Sequence, residues 1–313
     1  MKKTTHISDD IAAAAKQLKD GGLVAFPTET VFGLGADAMN AEAVESIFVA
    51  KGRPSDNPLI AHIASPEWIP QLARHIPDYA SHLVEAFFPG PLTLVLTRQP
   101  HVPDYLTAGL DTVGIRMPDH PVAQELIMSA GTPIAAPSAN SSGRPSTTRW
   151  EDVLRDLDGK IDMILRSEPT RLGIESTVVD CTGHDPVILR PGSVTLEDLR
   201  LVCSDARLAE SASEALARSP GTRHRHYQPN ARVRLISNPS EITHPEGSAF
   251  IGVSVPTGCS LEYLADDENG YARHVFSFFR DAERAGVQTI YCLRPSANGI
   301  GKALLDRLER ASS

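Results

Sequence analysis

The chain has 313 residues, 41% hydrophobic and 22% charged, with a net charge of −9 at pH 7. That length accommodates two domains of about 150 residues each, and the acidic balance argues against a protein whose main work is gripping nucleic acid through a basic footprint. No apolar run approaches the ~20 residues of a membrane span, and Cys181, Cys203, Cys259 and Cys292 lack metal-ligand spacing, so they read as buried free thiols of a cytoplasmic protein.

In chain order, residues 9–19 form an amphipathic helix, with Ser8 as N-cap, Ile11, Ala15 and Leu18 facing inward, and Gly21 ending it. The apolar run Leu23–Phe26 is a strand that stops at Pro27 and gives way to the polar turn Thr28-Glu29-Thr30. Gly33-Leu-Gly35-Ala-Asp-Ala38 fits the loose dinucleotide pattern G-x-G-x-x-A. A dinucleotide fold would open its helix at the second glycine, whereas here the helix starts near Asn40, and NAD binding is set aside. Helix 41–50 carries Val44, Ile47 and Phe48 on one face, with Asn40 as N-cap. Lys51 and Arg53 follow on a loop stiffened by Pro54 and Pro58, with Asn57 between them. A planar fork and a mobile point charge on such a loop suit an anion. Both read as loop cations whose loss leaves the fold intact. The next strand, Leu59–Ile63, contains His62.

Further strands are expected at Leu92–Leu96, Val113–Met117, Pro133–Ala136, Met163–Leu165, Thr177–Asp180 and Val187–Arg190, and helices at 78–87, 121–129 and 149–155. This alternation implies an α/β domain and leaves open whether its sheet is parallel or mixed. Arg116 ends a strand beside a Pro turn, where it can pair with a carboxylate or form a surface salt bridge. Residues 137–148, PSANSSGRPSTT, crowd hydroxyls, an amide and a glycine into one loop, which suits a phosphate or ribose and equally a capped surface loop. The segment from Gly173 through Glu175, Ser176 and Thr177 is hydroxyl-rich at a strand entry but lacks the G-x-S-x-G elbow. Arg190 repeats the strand-end arginine. Cations at 51/53, 116 and 190, with three hydroxyl loops, suggest one polyanionic ligand and one carboxylate ligand.

Residues 206–230 turn Ala/Ser-rich and then basic, as a linker does. Its His224 and His226 have no third metal ligand nearby. Residues 231–313 offer strands at Val233–Ile236, Phe250–Val255 and Thr289–Leu293 and helices near 271–285 and 299–310, a small α/β domain without a catalytic constellation. Gly299-Ile-Gly301-Lys302-Ala303 lacks the Ser/Thr of a phosphate-binding loop and reads as a helix start.

PTETVFGLG at 27–35, KGRPSDNPL at 51–59, the strand with His62, PSAN-x-SG at 137–143 and the 219–229 linker segment together resemble the YrdC-type threonylcarbamoyl-AMP synthases in their longer, two-domain form. The resemblance implies a twisted mixed sheet with a concave active site over residues 1–205, a linker over that site at 206–230, and a small Rossmann-like α/β domain at 231–313. The implied reaction joins L-threonine, bicarbonate or CO2, and ATP to give L-threonylcarbamoyl-AMP and pyrophosphate, with Mg2+ arriving on ATP. A partner tRNA-threonylcarbamoyl transferase complex would use the product to modify the adenosine beside the anticodon, with weak or no direct nucleic-acid binding by this chain.

By the same matching, Thr30, His62, Arg116, Ser176 and the backbone at Ala136 form the threonine pocket. Lys51, Arg53, Asn57, Thr112, Ser138, Ser146 and Arg190 contact the nucleotide, and Tyr227 closes over them. The carbamate nucleophile is already anionic, so no activated serine or cysteine is required and no catalytic side chain is assigned. Competing readings are an RNA-binding module without catalysis and a carbamoyl-transferring domain. The second is disfavoured because acylphosphatase-like and zinc-finger segments are absent.

Overall fold

In the computed structural model, which describes residues 4–210 and 227–312, the expected alternation becomes two α/β units, each with its own sheet. The strands of the first are β1 (His6–Ser8), β2 (Val24–Phe26), β3 (Gly33–Asp37), β4 (Ile60–His62), β5 (Leu92–Thr97), β6 (Thr112–Arg116), β7 (Ile134–Ala135), β8 (Met163–Leu165), β9 (Thr177–Asp180), β10 (Val187–Arg190) and β11 (Arg207–Leu208). Among the described residues they order as β1-β8-β2-β3-β7-β4-β6-β5-β9-β10-β11. The sheet is mixed, as the resemblance implied: β4 runs parallel to β6 and β5 to β9, while β2–β3, β5–β6 and β9–β10 are antiparallel.

The glycine pair near residue 34 sits inside β3, where both glycines are packed against neighbours. A Cβ at Gly35 would come within 2.9 Å of both the Phe26 ring and the Ile134 side chain, so glycine is there for close approach and not for a phosphate turn. Asn40 caps the next helix as expected, accepting from the Ala43 N–H at 3.2 Å. The first helix differs. Its cap is Asp10, which accepts from the Ala13 N–H at 2.9 Å, because Ser8 is taken up as the last residue of edge strand β1.

The expected linker also starts inside the sheet, since Arg207–Leu208 pairs with β10 as β11. Residues 211–226, including His224 and His226, lie outside the described residues.

The second unit holds β12 (Arg232–Ile236), β13 (Ser248–Gly252), β14 (Leu261–Leu264) and β15 (Thr289–Leu293) in the all-parallel order β12-β15-β13-β14. The helices Glu268–Arg284 and Gly299–Ser312 pack on it. The expected strand to Val255 stops at Gly252, after which Val253 and Val255 are exposed.

The two units share one apolar cluster, in which Val31 and Ile174 of the first pack with Tyr227, Tyr271 and Phe276. Around it Arg280 makes a bidentate pair with Asp156 at 3.0 Å on each prong, Arg284 reaches Asp152 at 3.0 Å, and Arg149 reaches Asp281 at 3.1 Å. Gly173, at φ +80°, touches the backbone of Arg273, and a Cβ there would lie 2.3 Å from its carbonyl oxygen. Among the described residues no helix is long and apolar enough to cross a membrane.

Candidate active site

A cleft opens where several strand ends of the first sheet converge. Strands β4 and β6 place His62 and Arg116 side by side in register, and Ala136 follows β7. Ser176 precedes β9, and Arg190 ends β10 after a register shift between Ile188 and Arg190 that turns the strand end. Of the expected residues, His62, Arg116, Ala136, Ser176, Arg53, Ser138, Ser146, Arg190 and Tyr227 line this cleft.

Arg116 is buried. Its Nε donates to the Gly90 carbonyl at 3.3 Å, and its Nη2 lies 2.8 Å from the equally buried carboxylate of Glu29. Thr30 stands behind the lining, with its hydroxyl 2.9 Å from that of Thr28, which does face the cleft. Ser176 shares a hydrogen bond with Thr93 at 2.8 Å, and its carbonyl accepts from Arg190 Nη2 at 2.9 Å.

His62 is buried, and its Nδ1 is 3.2 Å from the Ile60 carbonyl. A carbonyl only accepts, so Nδ1 carries the hydrogen and Nε2 is the acceptor. Burial, and then the charge of Arg116, lower its pKa from 6.5 to about 3, so the ring is neutral near pH 7 and a weak base. The unfolded chain binds a proton below 6.5 that the folded chain refuses until about 3, so the stability linked to this group is present above 6.5 and lost as pH falls through that window. In urea unfolding, His62→Asn is expected to be less stable than the wild type at pH 7, with the gap narrowing by up to about 1.4 kcal/mol per pH unit below the histidine range. A constant gap would contradict a neutral buried ring.

Arg53 donates to the Pro58 carbonyl at 3.2 Å, and burial brings its pKa down to about 10. Its Nε is buried without a hydrogen-bond partner among the described residues, as a donor reserved for an anion would be. Lys51 does not behave as a loop cation. It is buried as the last residue of its helix, and its Nζ donates to the carbonyls of Ser138 at 2.6 Å and of Asn140. Burial, and then the charge of Arg53, hold its pKa well below the usual lysine value. It fixes the 138–140 turn from behind.

Asn57 is also buried outside the lining, contributing its carbonyl to Arg53 at 3.4 Å. Thr112 opens β6 opposite Thr97, at the far end of the strand from Arg116, and is not brought to the cleft.

Tyr227 is buried at φ 68°, a left-handed backbone that costs of order 1–3 kcal/mol for such a residue. Stacking on Phe276 at 5.1 Å and the Arg307 guanidinium 5.7 Å from its ring centre hold it there. Burial, and then Glu175, push its hydroxyl up to about 12.

The residues that motif reading passed over are Glu29, Glu175 and Arg144. The last two line the cleft, and Arg144 is itself held by Glu283 and Asn230 at 2.6 Å each. A charge count offers the missing signal, because several cations converging on one cleft require buried counter-charges nearby. These cations face inward from a concave wall and form no exposed stripe, which is poor geometry for an RNA backbone.

Residues 16–192 match the Sua5/YciO/YrdC family model, described as "Telomere recombination", and residues 194–313 match one described as "Threonylcarbamoyl-AMP synthase, C-terminal domain". A Pyrococcus abyssi protein called threonylcarbamoyl-AMP synthase is 43% identical over 96% of this chain and 94% of its own length. A Bacillus subtilis protein of the same name is 41% identical over 96% of this chain and 92% of its length. The crystal structure of P. abyssi Sua5 complexed with L-threonine superposes with a TM-score of 0.88 at 39% identity, covering 100% of this chain and 98% of that one. E. coli YciO, 23% identical with a TM-score of 0.53 over 61% of this chain, shares the fold of the first unit. With both family models matched in order and full-length relatives at this identity, the chain belongs to the threonylcarbamoyl-AMP synthase family in its two-domain form.

Proposed function

We propose that this protein makes L-threonylcarbamoyl-AMP and pyrophosphate from L-threonine, bicarbonate or CO2, and ATP. The observation that carries the reading is one cleft with two chemically different sets of residues, in a chain of this family. The residues that the family match assigns to threonine, His62, Arg116 and Ser176, and those it assigns to the nucleotide, Arg53, Ser138, Ser146 and Arg190, line this one cleft together.

The Arg116 guanidinium receives the amino-acid carboxylate, and His62 Nε2 and the Ser176 hydroxyl order the amine and side chain. The amine lone pair adds to the carbon of CO2 and one amine proton leaves to solvent, or it adds to the carbon of bicarbonate, whose hydroxyl leaves with that proton as water; either route gives a carbamate. A carbamate oxygen then attacks the α-phosphorus as the bond to the bridging oxygen breaks, and pyrophosphate departs with that electron pair. No side chain must become a nucleophile. The protein contributes alignment and fixed positive charge against the phosphates, which together account for most of the rate enhancement in phosphoryl transfer.

Thr30, Lys51 and Asn57 act from behind, holding the lining residues in place. The carboxylates Glu29, behind the cleft, and Glu175, on its wall, are each engaged by an arginine. Mg2+ therefore belongs with the ATP phosphates, where it neutralises their charge. The product passes to a tRNA-threonylcarbamoyl transferase complex in the cytoplasm.

Pyrophosphate release from ATP and Mg2+ is expected to require both L-threonine and bicarbonate, and to fall when serine replaces threonine. Release indifferent to threonine would defeat the reading.

A further inference from the structure

We propose that Arg307, on the last helix of the chain, is a positioning residue for the nucleotide residues of the cleft, through which the C-terminal unit sets the charge of the wall that receives the phosphates. The proposal rests on the synthase reading above.

Arg307 is completely buried and does not itself line the cleft. Its Nε donates to Glu175 Oε2 at 2.9 Å, and its Nη1 donates to Asp306 Oδ2 at 2.7 Å. Glu175 does line the cleft, and its other oxygen accepts from the Ser146 hydroxyl at 2.5 Å. Arg307 also lies over the Tyr227 ring. One guanidinium from the second unit thus touches two groups of the site, Glu175 and Tyr227, and reaches Ser146 through the first.

Its electrostatic role is specific. Glu175 is a buried carboxylate in a wall that otherwise attracts a polyanion. Paired with Arg307 it is neutralised, which leaves the charges of Arg53 and Arg190 for the phosphates. With Arg307 removed, Glu175 either draws Arg190 to itself or stands as a negative charge facing ATP, and both outcomes weaken nucleotide binding. The groups that face Glu175 are Arg307 from the last helix, Arg190 from β10, Ser146 from its loop, and Tyr227, while Asp306 pairs with Arg307. Burial disfavours the ionised form of Glu175, but Arg307, Arg190 and the Ser146 hydroxyl outweigh it and hold the group below the usual carboxylate range. Holding a buried ion pair is seldom the cheapest way to stabilise a fold, since an apolar pair often does as well, so a functional reason for this one is called for.

The test uses the full chain and a non-hydrolysable α,β-methylene ATP, with binding measured by calorimetry and turnover by pyrophosphate release. Arg307→Met is expected to weaken binding of the analogue by about tenfold or more near pH 8, with little change in the KM for threonine. Combining it with Glu175→Gln should restore affinity to within about threefold of wild type.

Wild-type affinity in Arg307→Met, or a defect that the second substitution does not relieve, would overturn the proposal. Should Arg307→Met not fold, Glu175→Gln alone decides. It leaves the arginine charge in place and is expected to bind the analogue at least as tightly as wild type, whereas a marked loss would overturn the positioning role. Threonine-dependent release by the wild type with unaltered affinity in the variants defeats this inference alone. Absence of nucleotide binding by the wild type defeats the synthase reading as well.

Discussion

Arg116→Met is expected to abolish threonine-dependent pyrophosphate release and to destabilise the protein by about 3–5 kcal/mol, the usual cost of breaking a buried ion pair from one side. Both losses come from one geometry. Arg116 and Glu29 are 2.8 Å apart with side chains 5% and 1% exposed, so the methionine variant strands a carboxylate that water cannot reach. The two losses separate in the double variant. Glu29→Gln with Arg116→Met removes the stranded charge and is expected to recover most of the stability, because replacing both partners is far milder than removing one. It does not recover activity, since no cation then faces the threonine carboxylate. Urea unfolding and pyrophosphate release on the same three variants check this. A double variant as unstable as the single one would show that Glu29 is not the stranded group, and one that regains turnover would remove Arg116 from the threonine site.

Lys51→Met is the second large effect. A loop cation would lose activity with the fold intact, but Lys51 is buried and its ammonium serves the Ser138 and Asn140 carbonyls. Each carbonyl left without a donor costs about 1–3 kcal/mol. The 138–140 turn is otherwise held by the Ala139 N–H on the Phe32 carbonyl at 2.8 Å, so it is expected to shift and not to unfold. A displacement of about 1 Å at the nucleotide wall lowers turnover by about 10²-fold. Arg53→Met, on a half-buried residue, is expected to give a comparable activity loss with little change in stability. The two variants therefore separate on a urea melt even where their kinetics agree. Equal stability would return Lys51 to the cleft surface.

What the sequence disclosed follows a physical line. Strands made of apolar runs between Pro and Gly, such as β5, β8, β9 and β10, were legible because burial on both faces leaves a compositional trace. Asn40 was legible because N-capping is local chemistry. The edge strands β1 and β11, of three and two residues, carry no such trace, since they exist only through pairing with β8 and β10 far along the chain. Of the site, the cations showed through stiffened loops and strand ends. Glu29 and Glu175 did not, because a carboxylate among hydroxyls looks the same solvated or buried. Arg307 sits 132 residues from its partner in an ordinary helical pattern, and no local reading connects the two. The lysine was found for the right turn but given the wrong face, since Nζ direction depends on where the 138–140 turn packs.

The apolar cluster that spans the junction bears on how substrates come and go. Many two-domain enzymes admit ligands by jaw-like opening of one domain against the other, which is natural where the boundary is small and polar. Here Val31 and Ile174 are embedded among the aromatic side chains of the second unit, and Arg280 grips Asp156 with two prongs. Swinging the units apart would expose that cluster and break those pairs together, so exchange of substrates is expected to proceed with the two sheets docked.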